Sequence, residues 1–121
     1  MKRTVSIVIS AAIIALFLTA CWNPSVKEVP ITAPWDKMNL PIKENARVWG
    51  SDDKELKVVH KASRAEVAKS YFDALEKDGW KFTANPVMNE NMIINDYEKG
   101  GQQIRIDVYD FENTGVIIRK K

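Results

Sequence analysis

The sequence predicts an α+β fold, one helix packed on an antiparallel sheet of four to five strands, on the strength of three patterns. Ile104, Ile106 and Val108 alternate with Gln103, Arg105 and Asp107, the two-residue period of a strand with one buried and one wet face. Val67, Ala68, Tyr71, Ala74 and Leu75 recur at three- and four-residue spacing, the pattern of a helix that buries one side. Turn residues separate the short apolar runs that follow, as in an antiparallel meander.

Taken in order, residues 46–49 and 55–60 are β-rich runs around Gly50-Ser51-Asp52-Asp53, a composition that suits a hairpin. Ser63 and Glu66 form a capping box, in which the serine oxygen and the glutamate side chain satisfy backbone N–H groups left without partners at a helix start. Gly79 ends the helix by supplying the left-handed conformation after its last turn, and Trp80 is placed to fold back against that turn. Residues 81–83, 92–98, 102–110 and 116–119 read as the meander. A two-residue primed turn at Gly100-Gly101 sets Tyr97 opposite Ile104, Ile93 opposite Val108 and Asp96 opposite Arg105. The same register puts Asn95 beside Ile106 on the apolar face, a flaw in an otherwise sorted pattern. Asn113-Thr114-Gly115 suits a bulged hairpin that brings Ile118 opposite Val108.

Upstream of this domain, residues 22–41 contain Pro24, Pro30, Pro34 and Pro41 and show neither a helical nor an alternating period. Such a segment is expected to act as a tether, reaching up to about 60 Å at ~3.1 Å per residue. Trp35 and Met38 are expected to dock its end onto the domain, with partner contacts as the other reading. Removing residues 22–41 is expected to leave a cooperative fold. The organisation is thus residues 1–20 as a leader, 21–41 as an attachment segment and 42–121 as the domain.

The chain has 121 residues. One small core is the limit at this size, with little left over to line a deep pocket. Net charge is +2, but taking Lys2 and Arg3 away with the leader leaves 16 basic against 16 acidic residues. A neutral domain lacks the basic surplus or stripe of a nucleic-acid binder, so nucleic acid is not an expected partner.

The leader has its own order. Lys2 and Arg3 precede an apolar run from Val5 to Leu18, and small residues Thr19 and Ala20 precede Cys21, the arrangement of a secretory signal peptide. The run is short for a membrane-spanning helix, and no basic cluster follows it. Leu18-Thr19-Ala20-Cys21 resembles the lipobox of bacterial lipoproteins, and Cys21 is the only cysteine in the chain. The resemblance covers residues 1–21 alone. It implies cleavage between Ala20 and Cys21 and a diacylglyceryl group on the Cys21 thiol, with Cys21 then the first residue of the mature protein. Two or more acyl chains hold a protein to a bilayer durably. The resemblance also implies a site in the cell envelope and, in a cell with two membranes, the outer membrane facing the periplasm, because Trp22 stands where an aspartate would favour inner-membrane retention.

Within residues 22–121 no motif points to catalysis. His60 is the only histidine, without the spacing of a metal site. Ser51, Ser63 and Ser70 lack a nucleophile elbow or comparable setting. Asp52-Asp53 and the trio Asp107, Asp110 and Glu112 lack the alternating oxygen ligands of a calcium loop. Gly100-Gly101 has no helix after it and is a turn, not a phosphate cradle. The expectation is a protein without enzymatic activity, cofactor or metal. Aromatic residues exceed what one helix face needs, and Phe72, Tyr109 and Phe111 are candidates for an exposed partner surface together with Arg105 and Asp107 on the wet strand face. The reading is a lipid-anchored envelope module that binds a protein partner. A sensor for a small molecule or peptide is the alternative, and an envelope hydrolase is third.

Overall fold

The computed structural model of the protein describes residues 24–121. The residues expected to form a signal peptide, the expected cleavage position at Ala20, the expected lipidation site Cys21 and Trp22 lie outside the described residues. After a 3-10 turn (Trp35–Lys37) come β1 (Ala46–Ser51), β2 (Glu55–His60), α1 (Arg64–Lys77), β3 (Lys81–Met88), β4 (Met92–Lys99), β5 (Gln102–Tyr109) and β6 (Thr114–Lys120). The strands form one antiparallel sheet in the order β1-β2-β6-β5-β4-β3.

The expected α+β fold with four to five strands is therefore corrected to a predominantly β fold with six, strand making up 44% of the described residues and helix 17%. The miscount falls at the edges of the sheet. Alternation marks a strand only when one face is buried, and β3 is exposed along nearly its whole length, holds Pro86 and breaks register on either side of Ala84. In β1 a bulge between Val48 and Gly50 displaces Trp49, so its residues lose the two-residue period as well.

Gly100 and Gly101, both at positive φ, make the tight turn between β4 and β5. The register they set pairs Tyr97 with Ile104, Asp96 with Arg105, Ile93 with Val108 and Asn95 with Ile106. Asn95 is buried on the core face as expected. Its polarity is satisfied there, because its Oδ1 accepts from Asn85 Nδ2 at 2.7 Å and its Nδ2 donates to Tyr97 Oη at 3.5 Å. The β5–β6 hairpin departs from expectation: Val108 pairs with Val116, and Ile118 with Ile106. Glu112, at φ 60, tightens the 110–113 loop, and the two-residue shift leaves every side chain on its expected face.

Ser63 Oγ accepts from the Glu66 backbone N–H at 3.3 Å and opens α1. At the other end Gly79, at φ 96, closes the helix, with Trp80 N–H donating to Leu75 O and Gly79 N–H to Glu76 O. These two bonds are a Schellman cap, which satisfies carbonyls otherwise left open at a helix end. Val67, Ala68, Tyr71 and Leu75 are buried, packed with Leu56 and Val58 of β2, Ile104, Ile106 and Val108 of β5, and Val116 and Ile118 of β6.

The proline-containing segment lies against the domain over most of its described length. Val29 N–H donates to Val48 O, and Thr32 N–H to Ser51 Oγ, each at 2.9 Å. Trp35 is 1% exposed, its indole N–H donating to Asp52 O at 2.6 Å, and Met38 is buried beside it. The segment runs along β1 and covers an edge that would otherwise present open backbone groups. Its described part does not reach out as a free spacer, and the two largest apolar side chains of that part, Trp35 and Met38, belong to the core.

Candidate interaction face

The face of the sheet turned away from α1 holds three rows of side chains, read across the strands from the pairing. One row runs Asp96, Arg105, Arg119, Glu55. The next runs Ile94, Asp107, Ile117, Lys57. The third runs Met92, Tyr109, Gly115, Val59, Arg47.

The first row is ionic. Arg105 reaches both oxygens of Asp96, Nε to Oδ1 at 2.8 Å and Nη2 to Oδ2 at 3.0 Å, and Lys121 adds a contact to Oδ2 at 3.1 Å. The Arg105 guanidinium, followed by Lys121, holds the Asp96 carboxyl below the usual carboxylate range. Arg119 donates to Glu55 at 2.7 Å and likewise lowers its carboxyl. These partners fix the side chains in place, as two-point arginine–carboxylate pairs do.

Asp107 differs from its neighbours. It is 9% exposed, between Ile94 and Ile117, and its only ion-pair contact among the described residues is Arg119 Nη1 to Oδ2 at 3.6 Å. Its Oδ1 is buried with no hydrogen-bond partner among the described residues. Burial raises the Asp107 carboxyl above its ordinary value, against the pull of Arg119 and Arg105. A buried acceptor left unpaired costs free energy, so this carboxylate is placed where the isolated domain gains nothing from it.

The third row is apolar and aromatic. Tyr109 and Phe111 stack with ring centres 6.0 Å apart, Phe111 lies 5.5 Å from Trp49, and Lys57 Nζ sits 4.9 Å above the Trp49 ring. The bulge in β1 turns Trp49 onto this face. Gly115 makes the stack possible, because a Cβ there would fall 2.6 Å from Tyr109 Cζ and 3.0 Å from Phe111 Cβ. Gly115→Ala is expected to cost about 1–3 kcal/mol in urea unfolding, as overpacking does, and to change the near-ultraviolet circular dichroism of the aromatic cluster.

The structure thus brings together Arg105, Asp107, Tyr109 and Phe111 on one face. Phe72 is not with them. It lies on α1 on the other side of the sheet, half-buried, with its ring 6.1 Å from Tyr97. Helical position placed Phe72 beside Tyr71 but could not say that the neighbouring sheet surface would absorb both. Sequence reasoning missed Trp49, Ile94, Ile117 and Arg119 as members of the face. The parity of β6 relative to β5 was the available signal for Ile117 and Arg119, whereas a bulge such as that at Trp49 leaves none.

His60 is buried under α1, where its Nε2 meets Tyr71 Oη at 2.7 Å. Among the described residues, no group of three or more His, Cys, Asp or Glu side chains is placed to hold a metal ion. No helix among them is long and apolar enough to cross a membrane. At the end of the sheet away from Phe111, a cavity of about 910 Å3 is lined by Trp35, Trp80, Ile104, Lys37 and Lys120 among others. No family model matches the chain, and no curated protein or solved structure matches it.

Proposed function

We propose that this protein is a noncatalytic interaction module of the cell envelope, held to a membrane by lipid on Cys21, whose outer sheet face takes up a protein partner. In a cell with two membranes its place is the outer membrane, facing the periplasm. The single observation behind the reading is Asp107: an unpaired, buried carboxylate oxygen between two isoleucines, flanked by arginines that are fixed by other acids. A partner that brings an N–H or O–H donor to Asp107 and apolar surface to Ile94 and Ile117 satisfies what the free domain leaves open. Such central contacts, not the outlying charges, dominate binding at protein interfaces.

The test places photoreactive residues at positions 105 and 117 in living cells, with position 69 on the exposed side of α1 as control, and follows them by mass spectrometry of the membrane fraction. One recurrent protein adduct at 105 and 117, absent at 69, is expected. Asp107→Asn should keep the thermal transition at least as high, since it removes a buried charge, yet weaken the adduct roughly tenfold, because hydrogen bonds to a charged group contribute about 1.5–3 kcal/mol. No adduct at either position, or an adduct indifferent to Asp107→Asn, would overturn this reading. The cavity bordered by Trp35, Trp80 and four lysines would then favour the second reading, a sensor for a small anionic molecule with an apolar body.

A further inference from the structure

The contacts of Pro24, Ser25 and Val26 fix how an anchored domain sits. Arg47 Nη1 donates to the carbonyls of Val26 at 3.0 Å and Pro24 at 3.4 Å, and the Ser25 hydroxyl donates to Glu112. Arg47 belongs to the aromatic row, and Glu112 to the 110–113 loop at the same end of the sheet. The N-terminal segment is therefore pinned at that end from Pro24 onward. Only three peptide units join Cys21 to Pro24, a reach of about 11 Å fully extended.

We propose that the end of the sheet bearing the 110–113 loop and the β3–β4 turn rests against the lipid bilayer, with the strands directed away from it. The inference rests on the reading of Cys21 as the lipidated residue. Acyl chains on Cys21 lie within the bilayer, and about 11 Å of chain is too short to lift the pinned end clear of the headgroups. The surface presented there suits such contact. Met88, 69% exposed, lies at the end of β3, and Met92 opens β4 across the turn. Lys43 and Lys61 are exposed in the loops before β1 and after β2, where long basic side chains can reach phosphate groups. Of the acids at this end, Asp110 is paired with Arg64 and Glu112 accepts from Ser25, whereas Glu44 and Glu90 are exposed, Glu44 directly beside Lys43.

The opposite end holds Asp53 and the Gly100-Gly101 turn. An eight-residue strand such as β5 spans about 27 Å, so that end is held well beyond the headgroup layer. The ionic row Asp96–Arg105–Arg119–Glu55 then stands at the membrane-distal end of the interaction face, turned toward a partner alongside.

The test uses the full chain, processed in a bacterium and reconstituted into phosphatidylcholine–phosphatidylglycerol vesicles containing nitroxide-labelled lipid. Lipidation consumes the Cys21 thiol, so a fluorophore on Asn113→Cys or on Asp53→Cys reports one position. Quenching is expected to be several-fold stronger at 113 than at 53. Twenty glycine and serine residues inserted between Asn23 and Pro24, with an average reach of about 25 Å, should bring quenching at 113 down to the level at 53. Equal quenching at both positions in a chain whose mass shows acyl groups on Cys21 would overturn the orientation and leave the anchor standing, whereas strong quenching at 113 alone that survives the insertion would keep the orientation and overturn the short tether as its cause. A mass without acyl groups would overturn the anchor reading, and the orientation with it.

Discussion

Trp35→Ala is expected to destabilise the domain by about 3–5 kcal/mol, the range for truncating a large buried aromatic side chain. The indole is 1% exposed, and its N–H donates to the Asp52 carbonyl at 2.6 Å. The substitution therefore opens a cavity between the 3-10 turn and the sheet and removes the bond that ties the segment to the β1–β2 turn. Small domains have only about 5–15 kcal/mol of stability in total, so the loss is a large fraction of it. Trp35→Phe, which keeps most of the ring volume, should cost clearly less. Urea unfolding of the three proteins measures the differences. A cost below about 1 kcal/mol for Trp35→Ala would show that the 3-10 turn rests on the domain without supporting it. The expectation that residues 22–41 can be removed without harm is reversed by the same contacts: that deletion takes away both Trp35 and Met38 and should blunt the thermal transition.

This contrast shows where the sequence was legible. The β4–β5 register followed from one glycine pair, because a two-residue turn fixes every partner along both strands. The two ends of α1 followed from Ser63 and Gly79, whose chemistry is local. The docking of Trp35 and Met38 was expected from their apolar character, but their full burial in the core was not, since they are isolated side chains in a segment without periodicity. The edge strands, read at 46–49 and 81–83, were cut short and undercounted for the related reason that alternation reports burial, and β3 has little of it. At the candidate site, strand parity gave Arg105, Asp107 and Tyr109 a common face. It could not give the missing hydrogen-bond partner of Asp107, which depends on how far the side chains of β6 reach across. Phe72 was joined to that set by exposure alone, and α1 packs it on the other side of the sheet.

The second large effect is a loss of stability on mild acidification, traced to His60. Burial lowers its pKa from the ordinary 6.5 to about 4. In the unfolded chain the imidazole takes up a proton as the pH falls through 6.5, whereas in the folded chain it stays neutral until about 4. Between these limits the unfolded state binds more protons, so stability falls with pH at up to about 1.4 kcal/mol per pH unit. The whole loss is about 3 kcal/mol, reached near pH 4, below which His60 adds nothing further. The carboxylates act in other ranges or with the opposite sign. Asp96 and Glu55, lowered from 3.8 and 4.5, contribute stability that is lost only as pH falls below those values. Asp107, raised above 3.8, favours the folded state as it gains its proton and opposes the loss. His60→Gln keeps a polar group near Tyr71 Oη but has nothing to titrate in this window. It is expected to be less stable than the parent at pH 7 and to show a much flatter dependence between pH 6.5 and 4.5, measured by urea unfolding at closely spaced pH values. Parallel curves for the two proteins would show that the His60–Tyr71 contact is not the origin of the acid sensitivity.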